Sequence, residues 1–221
     1  MNKNHVTFNV KEVDFMLKII ALITMIVDHI GFFWDIDLFR LIGRLSFPIY
    51  CFLIAKGIKR SKDLKKYSIR ILVCAIISQC VWMYIGVKTL NILFVYFLFI
   101  QYGYFIKTKN HAMSAIICVI SVILSPVLEY GMYGFLLALM FFHVKDLKVQ
   151  IICLLGLNIF FVSNGLLMPV QYFSVLSLFI ISKYDKAKYY KKNSKVRGFF
   201  YAIYPLHLIV LFWIYRLIAI I

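Results

Sequence analysis

The chain has 221 residues, 63% of them hydrophobic and 18% aromatic, with only 15% charged and a net charge of +16. A soluble domain of this size could not bury that much apolar surface. Apolar runs of roughly 15–22 residues have the length a helix needs to span lipid, so the composition predicts an all-α, polytopic membrane helix bundle.

Nine spans are predicted in chain order: 15–34, 38–56, 67–86, 90–106, 111–126, 131–143, 149–163, 167–182 and 198–221. The sixth and seventh are short enough to be tilted or re-entrant, which leaves eight or ten open. The first span lacks a small-residue cleavage site and is expected to stay in the mature protein. It carries Asp28 and His29 side by side in hydrocarbon, which is costly and marks a functional site by default. Arg40 stands at the junction with the second span, which brings Arg44 and a proline, Pro48. A cluster follows at Lys56, Lys59, Arg60, Lys62, Lys65 and Lys66, then Arg70 and Gln79 in the third span and Asn91 opening the fourth. Glu129 lies between the fifth and sixth. A last cluster runs from Lys183 to Arg197, and the ninth span contains Tyr204, Pro205 and His207. No internal repeat or Gly/Ser linker suggests a second domain, so residues 1–221 read as one unit.

Most of the 25 Lys and Arg fall on alternate connections, with Lys3, Lys11 and Lys18 on the same side. The positive-inside rule then puts the N-terminus in the cytosol of a multi-pass protein in the cytoplasmic membrane. Basicity is thus topological, and no nucleic acid partner is expected. The five cysteines lie within apolar spans without a C-x-x-C pair and read as buried thiols. The histidines show no H-E-x-x-H spacing, so no metal site is expected, and there is no P-loop, dinucleotide fingerprint or G-x-S-x-G elbow.

With a rise of about 1.5 Å per residue, His29 lies roughly 8 Å and Arg44 roughly 9 Å below the outer boundary. His207 lies roughly 14 Å in from the cytosolic side on that rise. Adjacent helical residues point about 100° apart, so Asp28 is expected to pair with Arg44 while His29 faces a cavity. Pro48 and Pro205 each remove an amide donor and are expected to interrupt their spans beside that cavity.

These residues carry a resemblance. The run Leu17–Gly31 with its Asp28-His29-Ile30-Gly31 ending is similar to the opening of TraX-like membrane acetyltransferases, whose namesake acetylates F-pilin. Gly43-Arg44-Leu45-Ser46-Phe47-Pro48, Lys66-Tyr67 with Arg70, Ile77-Ser78-Gln79 and Leu90-Asn91-Ile92 match in order. Glu129-Tyr130-Gly131 with Gly134 and Phe200–Leu208 complete the set. Glu129 stands where an aspartate is usual.

The resemblance implies acetyl transfer from acetyl-CoA to an amine or hydroxyl of a peptide, protein or glycan at the membrane. His29 would be the general base, with Asp28 and His207 beside it. Arg44, Gln79, Asn91 and Tyr204 are candidate oxyanion donors, and His207 fits either role or a hold on the pantetheine arm. Direct transfer and an acetyl-histidine both fit. Arg70, Lys62, Lys66, Glu129 and Tyr130 are further candidates for binding substrate, the basic ones through the CoA phosphates. Two other classes compete: a small proton-coupled transporter built on Asp28, His29, Arg44 and His207, and a non-catalytic membrane assembly or immunity factor.

Overall fold

The computed structural model describes residues 10–185 and 194–218, with side chains for 15–184 and 198–218. The cluster positions Lys3, Lys11, Lys186, Lys188, Lys191, Lys192, Lys195 and Arg197 fall outside those side chains. Among the described residues the chain is helical: α1 (Val10–Trp34), α2 (Asp37–Gly43), α3 (Ser46–Arg60), α4 (Leu64–Tyr84) and α5 (Ile92–Lys107) come first. Next come α6 (His111–Leu124), α7 (Gly131–His143), α8 (Leu147–Ser163), α9 (Leu176–Asp185) and α10 (Ser194–Ile218). Two 3-10 segments, Ser125–Val127 and Pro169–Val175, precede α7 and α9.

Among the described residues, four stretches are long and apolar enough to cross a membrane: Phe15–Trp34, Asp37–Arg60, Leu64–Tyr84 and Gly198–Ile218. Helices α5 to α8, between the third and fourth of these, are shorter and apolar. Exposed faces are apolar too, such as Ile116, Val119 and Ile123 on α6 and Ile152, Ile159 and Phe160 on α8. Such faces need lipid rather than water. The chain forms a helical membrane bundle.

Side-chain caps start several helices, because the first amides of a helix lack intrahelical partners. Asp63 accepts from the Lys66 N–H at 2.9 Å, Asn110 from Met113 at 3.1 Å and Asp146 from Val149 at 3.0 Å. At the start of α7 the chain turns through a left-handed Tyr130 (φ 58°) and Gly131 (φ 40°). A Cβ on residue 131 would meet the Ser125 carbonyl at 2.5 Å, so this turn requires glycine.

The expected second span is in two pieces, and Pro48 is not where it breaks. The interruption falls at Arg44–Leu45, between α2 and α3. Pro48 lies in the first turn of α3, where a missing N–H costs nothing. Pro205 likewise leaves α10 continuous. Its absent amide removes the helical donor to the Tyr201 carbonyl, and the Cys74 thiol from α4 donates to that oxygen at 3.4 Å. The eighth predicted span is also shorter as a helix, since Pro169–Val175 winds as 3-10 before α9 begins.

Helix α3 lies inside the bundle, packed on α1, α5, α7 and α9. Helix α1 packs against α2 and α3 on one side and α10 on another. That placement puts two neighbouring residues of α1 into two different interfaces.

Candidate functional site

Asp28 faces α2, and both of its carboxylate oxygens are gripped. Arg40 Nη1 donates to Oδ2 and Arg44 Nη2 to Oδ1, each at 2.7 Å. Arg40 and Arg44 are one helical turn apart, so one face of the α2 segment presents both guanidinium groups. Gly43 lets this face approach, because a Cβ there would overlap the Asp28 side chain. The expected Asp28–Arg44 pair is present. Arg40, read from sequence as a loop charge, is its second member.

His29 points toward α10 and meets His207. The two rings lie 4.9 Å apart, with His207 Nε2 at 3.1 Å from His29 Nδ1. Each Nδ1 also lies 2.9 Å from a carbonyl one turn back, Met25 for His29 and Ile203 for His207. A carbonyl can only accept, which assigns the hydrogen of each neutral ring to Nδ1. His207 Nε2 then accepts a share of the His29 Nδ1–H. The lone pair of His29 is left on Nε2. Trp82 packs edge-on against the His29 ring, with centroids 6.0 Å apart.

His29 and Asp28 lie in the wall of a cavity of about 360 Å³. Arg70, Glu129, Tyr130 and Tyr204 share that wall. The structure therefore brings six of the sequence-predicted residues to one chamber. At the end away from His29 the wall is formed by Lys18, Lys56, Arg60 and Arg70, at the start of α1, the end of α3 and the start of α4. Arg70 lies over the Tyr67 ring, and its Nε has no hydrogen-bond partner among the described residues. Lys18 was legible only as a topological charge. From Lys18 to His29 the α1 rise gives roughly 17 Å.

Other predicted residues are elsewhere. His207 and Arg44 lie behind the wall, touching His29 and Asp28 respectively. Lys62 is exposed, and the exposed Lys66 pairs with Asp63 at 3.4 Å; neither lines the cavity. Gln79 and Asn91 are spent on structure. Gln79 accepts from the Asn91 backbone amide at 2.9 Å and donates to the Thr89 carbonyl at 3.1 Å. Asn91 Nδ2 donates to the Ala75 carbonyl at 2.9 Å, and its Oδ1 caps α5. Glu129 Oε2 accepts the Ile92 N–H at 2.9 Å, so this cavity carboxylate also steadies the start of α5.

A buried polar chain that sequence reasoning missed extends from Arg44 to the other side of the bundle. Arg44 Nη1 lies 3.5 Å from Gln171 Oε1, and Gln171 Nε2 donates to the Tyr133 hydroxyl at 2.9 Å. Tyr133 in turn donates to Asn158 Oδ1 at 2.9 Å, and Asn158 Nδ2 donates to Ser174 Oγ at 3.0 Å. The available signal was Asn158 within an apolar run, and Gln171 just after Pro169.

The profile of one family, described as "TraX protein", matches residues 14–215. The chain belongs to the TraX family. TraX proteins are associated with pilin modification. A curated relative from Dichelobacter nodosus, named as a probable fimbrial assembly protein, FimC of serogroup H1, is 34% identical over 77 residues. That match covers 32% of this chain and 32% of the relative, so the chain spans about a third of that protein's length. No solved structure shows a significant match. The family match covers every residue of the chamber described above, from Phe15 to Tyr204.

Proposed function

We propose that this TraX-family chain is a membrane-embedded acetyltransferase that moves acetyl from acetyl-CoA to an amine or hydroxyl of a peptide, protein or glycan acceptor. The observation that carries this reading is one cavity with His29 in its wall at one end and Lys18, Lys56, Arg60 and Arg70 at the other. Under the positive-inside rule the cationic end faces the cytosol of a multi-pass protein in the cytoplasmic membrane, N-terminus inside. Four cations there suit the phosphates of CoA. The roughly 17 Å to His29 matches the reach of an extended phosphopantetheine arm.

His29 Nε2 takes the proton of the acceptor N–H or O–H as that atom attacks the thioester carbon. The new C–N or C–O bond forms and the C–S bond breaks. The imidazolium of His29 returns the proton to the departing thiolate. His207, through its contact with Nδ1, keeps the His29 ring in this tautomer. The fimbrial name of the partial relative favours a protein acceptor.

The test uses purified protein in lipid nanodiscs with acetyl-CoA and a peptide bearing a free amino terminus. Release of CoA thiol that depends on the peptide supports the reading. His29→Ala should stay folded and lose that release; undiminished release would remove His29 as the base. Proton-coupled uptake without thiol release would point to a transporter instead.

A further inference from the structure

Acyl transfer needs a donor for the oxygen that becomes negative as the carbonyl is attacked. Of the four candidates read from sequence, Tyr204 lines the cavity with no cation bonded to its hydroxyl among the described residues, and the other three are already committed. The Gln79 and Asn91 amides are bonded to the Thr89 and Ala75 carbonyls. Arg44 spends Nε on the Arg40 carbonyl and Nη2 on Asp28, and it does not line the cavity.

Tyr130 differs on both counts. It lines the cavity together with His29. Its oxygen accepts a hydrogen bond from Arg44 Nη1 at 2.7 Å. A guanidinium only donates, so Tyr130 keeps its own hydrogen. Among the described residues no acceptor takes that hydrogen. We propose, resting on the acetyltransferase reading, that the Tyr130 O–H is the oxyanion donor of the reaction, a catalytic residue polarised from behind by Arg44.

The hydroxyl is well held for this task. Tyr130 sits in a left-handed turn, and its ring stacks on Phe47 at 4.2 Å with 14° between planes. The Arg44 charge lies 6.0 Å from the ring centroid as well as on the hydroxyl oxygen. A donor whose oxygen is already bonded to a cation gives a stronger hydrogen bond outward. A preformed donor of this kind costs no reorganisation when charge develops.

In the step itself, the attacking atom's pair forms the bond to carbon and the carbonyl π pair moves onto oxygen. The Tyr130 hydrogen bond shortens without transferring its proton. When the C–S bond breaks, the oxygen pair returns to carbon and the thiolate leaves.

Tyr130→Phe keeps the ring on Phe47 and removes only the hydroxyl. It should lower kcat by about 10²–10³-fold, with KM for acetyl-CoA unchanged. A wild-type kcat would overturn the assignment, as would a fall in kcat no larger than the loss of folded protein. A fluorotyrosine series at position 130 retains both the hydroxyl and its Arg44 bond, so it tests the point without loss of fold. There kcat should change with phenol acidity, and a flat series would overturn the proposal. Acetyl transfer by wild type alongside an unaffected Tyr130→Phe would remove Tyr130 alone. Absence of transfer by wild type would remove the parent reading together with it.

Discussion

Replacing Asp28 by Asn tests how the polar centre is held. The carboxylate accepts from two guanidinium groups at 2.7 Å each, but their settings differ: the Arg44 side chain is 7% exposed and that of Arg40 is 26% exposed. Removing one partner of a buried pair costs about 3–5 kcal/mol, because the remaining charge is left unpaired. The part-buried Arg40 pair falls between that and the roughly 0–1 kcal/mol of an exposed pair. Asn can accept through one atom only, and its amide would turn a donor toward one of the arginines. Asp28→Asn should therefore cost roughly 4 kcal/mol, most of it through Arg44. For a chain of this size each kcal/mol shifts Tm by about 2–4 °C, giving a fall of roughly 10 °C. Thermal unfolding in detergent, followed by tryptophan fluorescence, reads it. Arg44→Ala should approach the same loss and Arg40→Ala should fall well short. Equal Tm values for the Arg40 and Arg44 variants, or an unchanged Tm for Asp28→Asn, would refute this partition.

Two further outcomes follow from the packing and the cavity. Gly43→Ala sets a methyl group into the Asp28 side chain, with an overpacking cost of about 1–3 kcal/mol; it should lower Tm and activity together, and a normal Tm would show that α1 and α2 separate easily. Arg70→Gln, at the cationic end of the cavity, should raise KM for acetyl-CoA several-fold, whereas Lys62→Gln and Lys66→Gln should leave it unchanged. The reverse ranking in acetyl-CoA titrations would move the phosphate site out to the 61–63 loop and the first turn of α4.

The Asp28–Arg44 pair was legible because the two residues sit at similar depth on antiparallel neighbours, and an intramembrane carboxylate has few affordable partners. Arg40 was not. Its role depends on the helix already beginning at Asp37, which puts Arg40 one turn before Arg44 on the face toward Asp28. Proline drew attention to residue 48, but a first-turn proline is compatible with helix and the break lies at Arg44–Leu45. Gln79 and Asn91 show why polarity in the bilayer is an ambiguous signal. It serves the backbone of the 89–92 turn as readily as it would a substrate. The meeting of His29 and His207 needed long-range packing of α1 on α10, whereas depth along the sequence put His29 in the outer half and His207 near mid-membrane. In the Arg44–Gln171–Tyr133–Asn158 chain, Asn158 and Gln171 stood out singly, but their connection has no sequence signature because it joins four segments with no shared spacing.

The most direct measurement follows a radiolabelled acetyl group from acetyl-CoA onto a peptide amine, in nanodiscs containing wild-type protein or His29→Ala. The account predicts label on the peptide with matching thiol release for wild type, and neither for a folded His29→Ala that still binds acetyl-CoA. Label transferred equally by both proteins would contradict it.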